Sequence, residues 1–426
     1  MRWQGRGISS CLALVTVYGM AILVPNRVEA QSPAAPVPEN RLFAEPDTHI
    51  IPSLRVAERY DSNVFFVPGT KFDDYVTTVS PQLKLNHRNQ WIKGTFGGGA
   101  TGEVYVQNPG LNYVAGNGTM NLNLDGAMNR LVPGLGLDVS DTLIYTPQPL
   151  AFAAPTSGSQ LAPAFVQGIQ AQRANSFSNA AKVETSYRLS EFMSMTVTYL
   201  DQRIRFGSPI ATPTGVTQGG FINTNFQTLT SGLVRKFSPA DTIFIAHQYQ
   251  HATFSASNDL GSQFSTQGAL IRWSRFITPG LKATGEGGFA VLSPRGNVEW
   301  LGAASLEWKG QYTSAMVSYS RSIAPSFLFV STPLLSQVVT GELKRRITDT
   351  LTLSVNGGYA INESVPDSSL LRFQSYSVTP SVNYIISKTF TATLSYTHSK
   401  YEQTVASQSF PFDRDLVQLS LIAEWK

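Results

Sequence analysis

The chain has 426 residues and a formal net charge of +4, and only 14% of its residues are charged, against roughly 25% in ordinary soluble domains. Hydrophobic content is 42%, so Gly, Ser, Thr, Asn and Gln fill the place of the missing charge. This composition suits an apolar exterior around a polar interior. The small net charge, with no basic cluster in the sequence, excludes nucleic acid as a partner.

The amino terminus predicts a signal peptide over residues 1–30. Arg2 and Arg6 form a basic region, the run from Ile8 to Val24 is mostly apolar, and Val28-Glu29-Ala30 is a small-residue cleavage site. The alternative is a membrane anchor, but the run is short for a spanning helix, which needs about 20 apolar residues. We therefore expect secretion and a mature chain that begins at Gln31.

The segment after the signal peptide, residues 31–48, is rich in Pro and Ala and predicts a flexible leader. The one cysteine, Cys11, lies in the signal peptide. The mature chain is therefore expected to have neither disulfides nor thiol chemistry. Beyond the signal peptide, no stretch of 18 apolar residues predicts a helical span.

From His49 to the C-terminus, segments of about 10–15 residues alternate between apolar and polar side chains. One example places Leu351, Leu353 and Val355 opposite Thr352 and Ser354, which is the period of a β-strand with one apolar face. We predict about eighteen strands, with sixteen as the alternative. The predicted strands are 49–60, 73–87, 90–106, 112–127, 133–146, 176–190, 192–206, 222–237, 241–255, 263–276, 280–292, 297–309, 311–323, 335–347, 349–362, 374–387, 389–402 and 413–426. The strands near 227–235 and 243–250 alternate poorly, and the sequence does not assign their faces.

The connections between these strands alternate between short turns and long loops. This rhythm is typical of outer-membrane barrels, with short periplasmic turns and long outer loops. A soluble all-β protein is the alternative, but it gives no reason for aromatic residues near strand ends, where this chain has Tyr145, Tyr187, Tyr199, Trp308, Tyr312, Tyr359, Tyr384, Tyr396 and Trp425. A sheet in lipid must close, because an open edge leaves backbone groups unpaired. We predict an all-β, antiparallel up-and-down barrel over residues 49–426, in the lipid of a Gram-negative outer membrane.

The last strand carries a predicted assembly signal. Val417, Leu419, Leu421 and Trp425 form the alternating apolar track that barrel-assembly machinery reads. To close the barrel, this strand must pair with the first strand, 49–60. Lys426 follows Trp425, whereas such strands usually end on an aromatic residue.

The polar faces of the strands are predicted to line the lumen. The charged candidates are Lys182, Glu184, Arg188, Lys282, Glu286, Glu299, Glu307, Lys344 and Arg346. Many lie next to a residue of opposite charge, as in the pairs Lys182/Glu184 and Lys282/Glu286. Two interpretations remain open: a hydrated path with a weak preference for anions, or charge ladders that only satisfy the wall of a barrel wide enough for an aqueous channel.

The longest predicted loop, 147–175, carries one charge, Arg173. Because long structureless loops are often functional, one hypothesis is that it folds into the lumen and narrows it. The other is that it stays on the surface.

The sequence offers no conventional chemistry. His247 and His251 share a strand face but lie about 13 Å apart by strand rise, too far for one metal ion. No nucleophile-elbow, P-loop or dinucleotide motif occurs. We expect no catalytic, cofactor-binding or metal site, and predict that the protein is not an enzyme.

The first predicted strand and the turn after it, residues 50–66, read IIPSLRVAERYDSNVFF, and a Ser80-Pro81-Gln82-Leu83 segment follows. This opening resembles that of a β-barrel porin family found with exopolysaccharide and exosortase (PEP-CTERM) loci. The matching motif positions include Pro52, Glu58, Tyr60, Asp61 and Asn63, whereas Ser62 departs from the usual acidic residue. The resemblance covers about 35 residues. It implies an outer-membrane barrel that assists polysaccharide export.

Two hypotheses of function follow. The first is an outer-membrane channel for small polar solutes or, more sharply, for an exopolysaccharide. The second is a structural or adhesion barrel whose outer loops bind partners and which has no open pore.

Overall fold

The computed structural model describes residues 47–67, 69, 71–147, 174–209, 221–255, 262–326, 332–365, 368, 370–405 and 408–425. These residues form eighteen strands, one short α-helix and one 3-10 turn, Pro109–Leu111. The strands are β1 Asp47–Asp61, β2 Asp74–Arg88, β3 Lys93–Tyr105, β4 Tyr113–Asn123, β5 Leu135–Thr146, β6 Ala174–Arg188, β7 Met193–Pro209, β8 Asn223–Lys236, β9 Asp241–Ser255, β10 Gln263–Thr278, β11 Leu281–Ser293, β12 Asn297–Lys309, β13 Thr313–Pro325, β14 Pro333–Arg346, β15 Leu351–Ser364, β16 Leu371–Ile385, β17 Phe390–Val405 and β18 Gln408–Glu424. The helix, α1, spans Asp125–Leu131.

The strands form one closed antiparallel barrel. Each strand pairs with the next in sequence, and β1 pairs with β18 from Ser53↔Glu424 to Asp61↔Leu416. The predictions of an up-and-down barrel, of eighteen rather than sixteen strands and of closure between the first and last strands are therefore confirmed. Residues 1–46, which include the predicted signal peptide and most of the predicted leader, lie outside the described residues, as does Lys426. Strand β1 begins at Asp47.

Two strand boundaries differ from the prediction by four or five residues. The fourth strand was predicted to reach residue 127 but ends at Asn123, because the Asp125 carboxylate accepts hydrogen bonds from the Leu137 amide (2.9 Å) and the Asn123 side chain (2.9 Å) and α1 begins there. The last strand begins at Gln408 rather than 413. The sequence did not predict residues 408–412 as part of this strand, because a proline such as Pro411 argues against a strand assignment.

The two faces of the wall differ in chemistry. Large apolar side chains that are more than 36% exposed alternate along the strands, as in Val317 and Tyr319 or Leu419 and Leu421. Buried residues such as Arg59 and Arg414 lie in the opposite register, so this second face is the interior. The predicted aromatic residues at the strand ends are all on the exposed face. No helix in the described part of the chain is long and apolar enough to cross a membrane.

The two ends of the barrel are named here by their connections. The turn end carries the short turns, such as 237–240 and 347–350, and both chain termini of the described barrel. The loop end carries the longer connections, beginning with 62–73. Most buried side chains lie in the half of the barrel nearer the loop end.

This uneven burial explains why β8 and β9 alternate poorly in sequence. In the half near the loop end, their inner face carries Phe226, Ala252 and Phe254, all at most 3% exposed, while Gln227 and His251 lie on the outer register. The usual polarity of a barrel wall is thus reversed where the interior is packed.

Trp425 closes the seam between β1 and β18 at the turn end. Its backbone amide donates to the Pro52 carbonyl (3.1 Å) and its side chain is exposed. We therefore expect that removing Lys426 alone leaves assembly unchanged, while removing Trp425 and Lys426 together reduces the folded barrel several-fold. The measurement is the fraction of heat-modifiable barrel in isolated membranes. Equal folded fractions for the two truncations would contradict an assembly role for Trp425.

Candidate functional site: a filled loop end and a neutral wall

The interior of the barrel is packed near the loop end and accessible near the turn end. Arg59 and Arg414 are 0% and 1% exposed, whereas the inner-register side chains of Lys84, Arg88 and Lys309 are exposed. The aqueous interior expected from the strand number is therefore restricted to the turn-end part of the barrel. Two segments fill the remainder: the first loop and the loop ends of β13 to β15.

The first loop folds over the β1–β18 seam. Asn63 holds its conformation: the Asn63 side-chain amide donates to the carbonyls of Val67 (2.9 Å) and Asp413 (3.4 Å), and the Asn63 side-chain oxygen accepts from the Val67 amide (3.2 Å). Ser62 ties the loop to β18, because its amide donates to the Asp415 carbonyl (3.0 Å) and its hydroxyl accepts from the Asp415 amide (2.8 Å). The loop is thereby fixed to both strands of the seam.

The loop delivers aromatic side chains to the interior. Phe66 adopts a φ of 57°, a left-handed conformation that is unusual for a bulky residue. Its ring lies 4.6 Å from the Arg414 guanidinium carbon and packs against Phe412, which in turn packs against Tyr401. The strained backbone at Phe66 is therefore offset by an aromatic and cation–π cluster inside the barrel.

A buried ionic cluster lies under this loop. Arg414 of β18 donates to both carboxylate oxygens of Asp61, with its Nε at 2.9 Å from Oδ1. Arg59 reaches Glu103 of β3 (3.2 Å), and that carboxylate also accepts from the Tyr105 hydroxyl (2.9 Å). The cluster thus joins β18, β1 and β3, and the apolar side chains of the first loop shield it from water.

The family-motif residues divide between the two faces. Pro52, Glu58 and Tyr60 lie on the outer register; Glu58 accepts from the Thr77 hydroxyl (3.0 Å) and Tyr60 packs against Tyr75. Asp61 and Asn63 hold the inward loop. Sequence reasoning used this motif only as a resemblance to a family. It assigned no role to Arg59 or Arg414. The alternation of β18 could have indicated Arg414, which lies on the same inward-facing register as Gln418 and Ser420.

The loop ends of β13 and β14 turn into the barrel. Ile323 and Leu335 share the register of the exposed residues Val317 and Val339, yet they are only 1% and 9% exposed. They belong to one apolar cluster with inner-face residues of β8 to β11. The members of that cluster are Ile222, Phe226, Ala252, Phe254, Phe264, Ala290, Leu292, Ile323, Leu335 and Val365, with Leu301 packed against them. The outer face of these strand ends therefore contacts the inner wall of the barrel.

The opposite face of this infolded segment contacts another part of the wall. Leu334 of β14 clusters with Leu371 and Phe373 of β16, and Ile204 and Phe206 of β7 pack against them. Strands β7 and β14 are far apart in the order of the barrel. Contact between them requires that the β13–β14 segment, together with the start of β16, crosses the interior.

The predicted lumen residues all lie on the inner register of their strands. Lys182 pairs with Glu184 (2.8 Å) and Glu307 with Lys309 (2.5 Å); Lys344 pairs with Glu342. Arg346 lies over the Tyr312 ring and 4.0 Å from Asp349, and Arg188 donates its amide to the Gly134 carbonyl (2.9 Å).

One predicted pairing differs from the structure, and one lumen residue has a partner that was not predicted. Glu286 was expected beside Lys282, but it binds Arg272 of β10 (2.6 Å), and the Lys282 ammonium instead lies 5.7 Å from the centre of the Phe276 ring. Glu299 pairs with Arg321 of β13 (3.4 Å). Arg272 and Arg321 were missed because the sequence shows only neighbours along one strand, whereas these partners come from adjacent strands.

The inner faces of β15, β16 and β17 form a neutral wall. Between Leu351 and Val405, the described inner-register positions carry no charged side chain and are dominated by Ser, Thr and Asn. Hydroxyl pairs link the strands, as in Ser354–Ser381 (2.6 Å) and Thr379–Thr397 (2.9 Å). The ion pairs described above lie on other strands. The neutral, hydroxyl-lined wall therefore spans three neighbouring strands, and the charged inner-register residues lie on other strands of the barrel.

The hypothesis that loop 147–175 narrows the lumen stays a prediction, because residues 148–173 lie outside the described residues. His247 and His251 share the outer register of β9. Within the described part of the chain, no three His, Cys, Asp or Glu side chains are grouped closely enough to hold a metal ion.

Comparison with known proteins gives structural likeness only. No family model and no curated protein matches the chain. Among solved structures, the chain is similar to the siderophore receptor PirA from Pseudomonas aeruginosa (9% identity, 90% of this chain and 82% of that one, TM-score 0.45). It is also similar to the outer membrane protein OpdK from P. aeruginosa (8%, 88% and 99%, 0.43) and to OccAB4 from Acinetobacter baumannii (11%, 89% and 98%, 0.42). The strand pairings themselves establish the barrel fold.

Proposed function

We propose that this chain is a channel of the bacterial outer membrane that guides a neutral polysaccharide, and that its loop end is closed by its own segments. The exterior supports the membrane location. Trp308 and Trp300 are both exposed on β12 and lie eight positions apart, about 26 Å along the strand. At the usual strand tilt of about 35–45° this spans about 20 Å along the barrel axis, within the roughly 25 Å apolar band of outer-membrane barrels. The predicted signal peptide and assembly signal agree with this location, with insertion by the barrel-assembly machinery.

The observation that carries the polysaccharide proposal is the neutral wall. Sugars present hydroxyl groups, which a surface of Ser, Thr and Asn side chains can match with hydrogen bonds and without the desolvation of a charge. On other strands, charged residues such as Lys182 and Glu307 pair with neighbours of opposite charge, whereas the neutral wall needs no such compensation. The motif resemblance to a family found with exopolysaccharide loci supports the same substrate class.

The test measures binding of a neutral oligosaccharide to the purified barrel by titration calorimetry. A triple variant, Thr379→Val, Ser381→Ala and Thr397→Val, removes hydroxyls from the neutral wall. We expect it to weaken binding at least tenfold, because three hydrogen-bonding positions are lost. The control Glu307→Gln with Lys309→Met removes an ion pair from β12, outside the neutral wall, and should change affinity less than twofold. Equal weakening in both variants, or no binding to the native barrel, would contradict the proposal.

A second candidate is a closed structural or adhesion barrel, which the filled loop end favours. Planar-bilayer conductance separates the two. A native barrel that conducts, even intermittently, supports the channel. A barrel that stays silent, both native and after the filling segments are displaced, supports the closed alternative.

A further inference from the structure

The wall of the barrel is incomplete between β12 and β13. The paired register of these strands runs only from Gly302↔Arg321 to Lys309↔Ser314. On either side, β12 continues paired to β11 up to Asn297, and β13 continues paired to β14 up to Pro325. Residues 297–301 and 322–325, all described, therefore face each other without a ladder, because the end of β13 has turned inward.

Arg321 occupies the edge of this gap. Its Nε donates to the Trp300 carbonyl (2.9 Å), a group that would otherwise belong to the missing ladder, and its guanidinium also reaches Glu299. Backbone groups at an open edge are costly in lipid, and the arginine satisfies one of them. Glu299, on the inner register of β12, and Arg321, on the outer register of β13, thus form a polar closure across the gap.

Both sides of the gap are apolar. Val298 and Trp300 are 57% and 71% exposed on the outer face. Behind the gap, Leu301 packs against the apolar cluster that contains Leu292 and Ile323. Because Trp300 lies at the loop-end border of the apolar band, an acyl chain at this border would contact Trp300 outside the gap, with Leu301 and the apolar cluster behind it and the polar pair Arg321 and Glu299 at the level of its head group.

We propose that this gap is a lateral portal for the acyl chain of a bilayer amphiphile, and that Arg321 is its closing residue. The inference rests on the proposed function because a portal for an acyl chain requires the barrel to lie in a membrane. It adds a second, lipid-like ligand class and a sideways route that a simple pore does not have.

The test places a bimane label at Leu301→Cys in the full chain and reconstitutes it in phosphatidylcholine vesicles with mid-chain brominated acyl chains. We expect quenching at least half of that at Trp300→Cys, which is exposed on the outer face at the same depth, and at least five times that at Ser395→Cys, on the inner face of β17. Quenching at position 301 no stronger than at position 395 would overturn the portal. Heat-modifiable mobility verifies that each labelled barrel is folded.

A second variant tests the closing residue. In the Arg321→Ala variant, the label at position 301 should be quenched at least twofold more than in the labelled parent. In Arg321→Lys, the increase in quenching should be no more than half as large. Unchanged quenching in Arg321→Ala would overturn the role given to Arg321. A label at Ala304→Cys, on the outer face midway between Trp300 and Trp308, verifies the reconstitution: if it is not quenched, the barrel is not in lipid and the membrane proposal fails. Quenching at positions 304 and 301 without conductance rejects only the channel.

Discussion

Asp61→Ala should destabilise the barrel by about 3–5 kcal/mol, because it leaves the Arg414 guanidinium buried without its carboxylate. Asp61 and Arg414 are 0% and 1% exposed and share two hydrogen bonds. The same change should loosen the first loop, since the Asp61 carboxylate also accepts from the Asn63 amide (3.2 Å). We therefore expect a lower urea midpoint, followed by tryptophan fluorescence, together with more frequent openings in a planar bilayer.

The matched control for this prediction is Lys71→Ala. Lys71 also joins the first loop to β18, through Asp413 at 2.5 Å, but both side chains are about 40% exposed. An exposed pair contributes at most about 1 kcal/mol, so this variant should keep nearly the native midpoint. The double variant Asp61→Ala with Arg414→Leu should recover much of the loss, because no buried charge remains. A midpoint for Asp61→Ala equal to that of Lys71→Ala would refute the role of the buried pair.

The second large effect concerns the infolded segment. The double variant Ile323→Asp with Leu335→Asp puts two carboxylates into the apolar cluster, where an unpaired charge is strongly unfavourable. The segment should leave the interior, and single-channel conductance should rise several-fold and become continuous. The barrel itself should persist, because the pairing of β12 with β13 nearer the turn end does not involve these residues.

Ser314→Asp with Ser320→Asp provides the comparison. These residues lie on the inner register of β13, outside the apolar cluster, and add the same charge to the interior. Their conductance should stay within about a factor of two of native, because charge alone changes the local ion concentration only modestly in a wide aqueous lumen. A several-fold increase in both double variants would show that charge, and not displacement of the segment, opens the lumen.

The alternation of side chains predicted the barrel well, because each strand meets the same two environments along most of its length. Eighteen strands, the outer faces of residues such as Leu353 and Tyr376, and the β1–β18 closure all follow from period two. The prediction weakened where the environments exchange, as at Phe226 and Phe254, whose inward positions look wrong for a hydrated lumen. Such positions are the sequence signal for an infolded segment, and they are visible only as failures of the pattern.

The candidate site was less predictable, because it depends on contacts between strands. Lys182 with Glu184 is readable along one strand. Arg272 with Glu286 and Arg414 with Asp61 require the register between strands. The neutral wall of β15 to β17 was present in the sequence as runs of Ser and Thr, and because the strands follow one another around the barrel in chain order, its position could have been read from the predicted polar faces.

Asp61 and Arg414 are separated by 353 positions in the chain, and this separation has a consequence for biogenesis. Their contact can form only when the last strand has arrived beside the first, so while the sheet is still open the first loop is held only by contacts such as those of Val64 and Phe65 with Val76 of β2 and Tyr105 of β3. Contacts of such sequence separation form late, because their loop-closure entropy must be met first. A barrel caught before closure would therefore have a first loop without its contacts to β18 as well as an open edge between β1 and β18. The pairing of these two strands at the end of assembly would complete both.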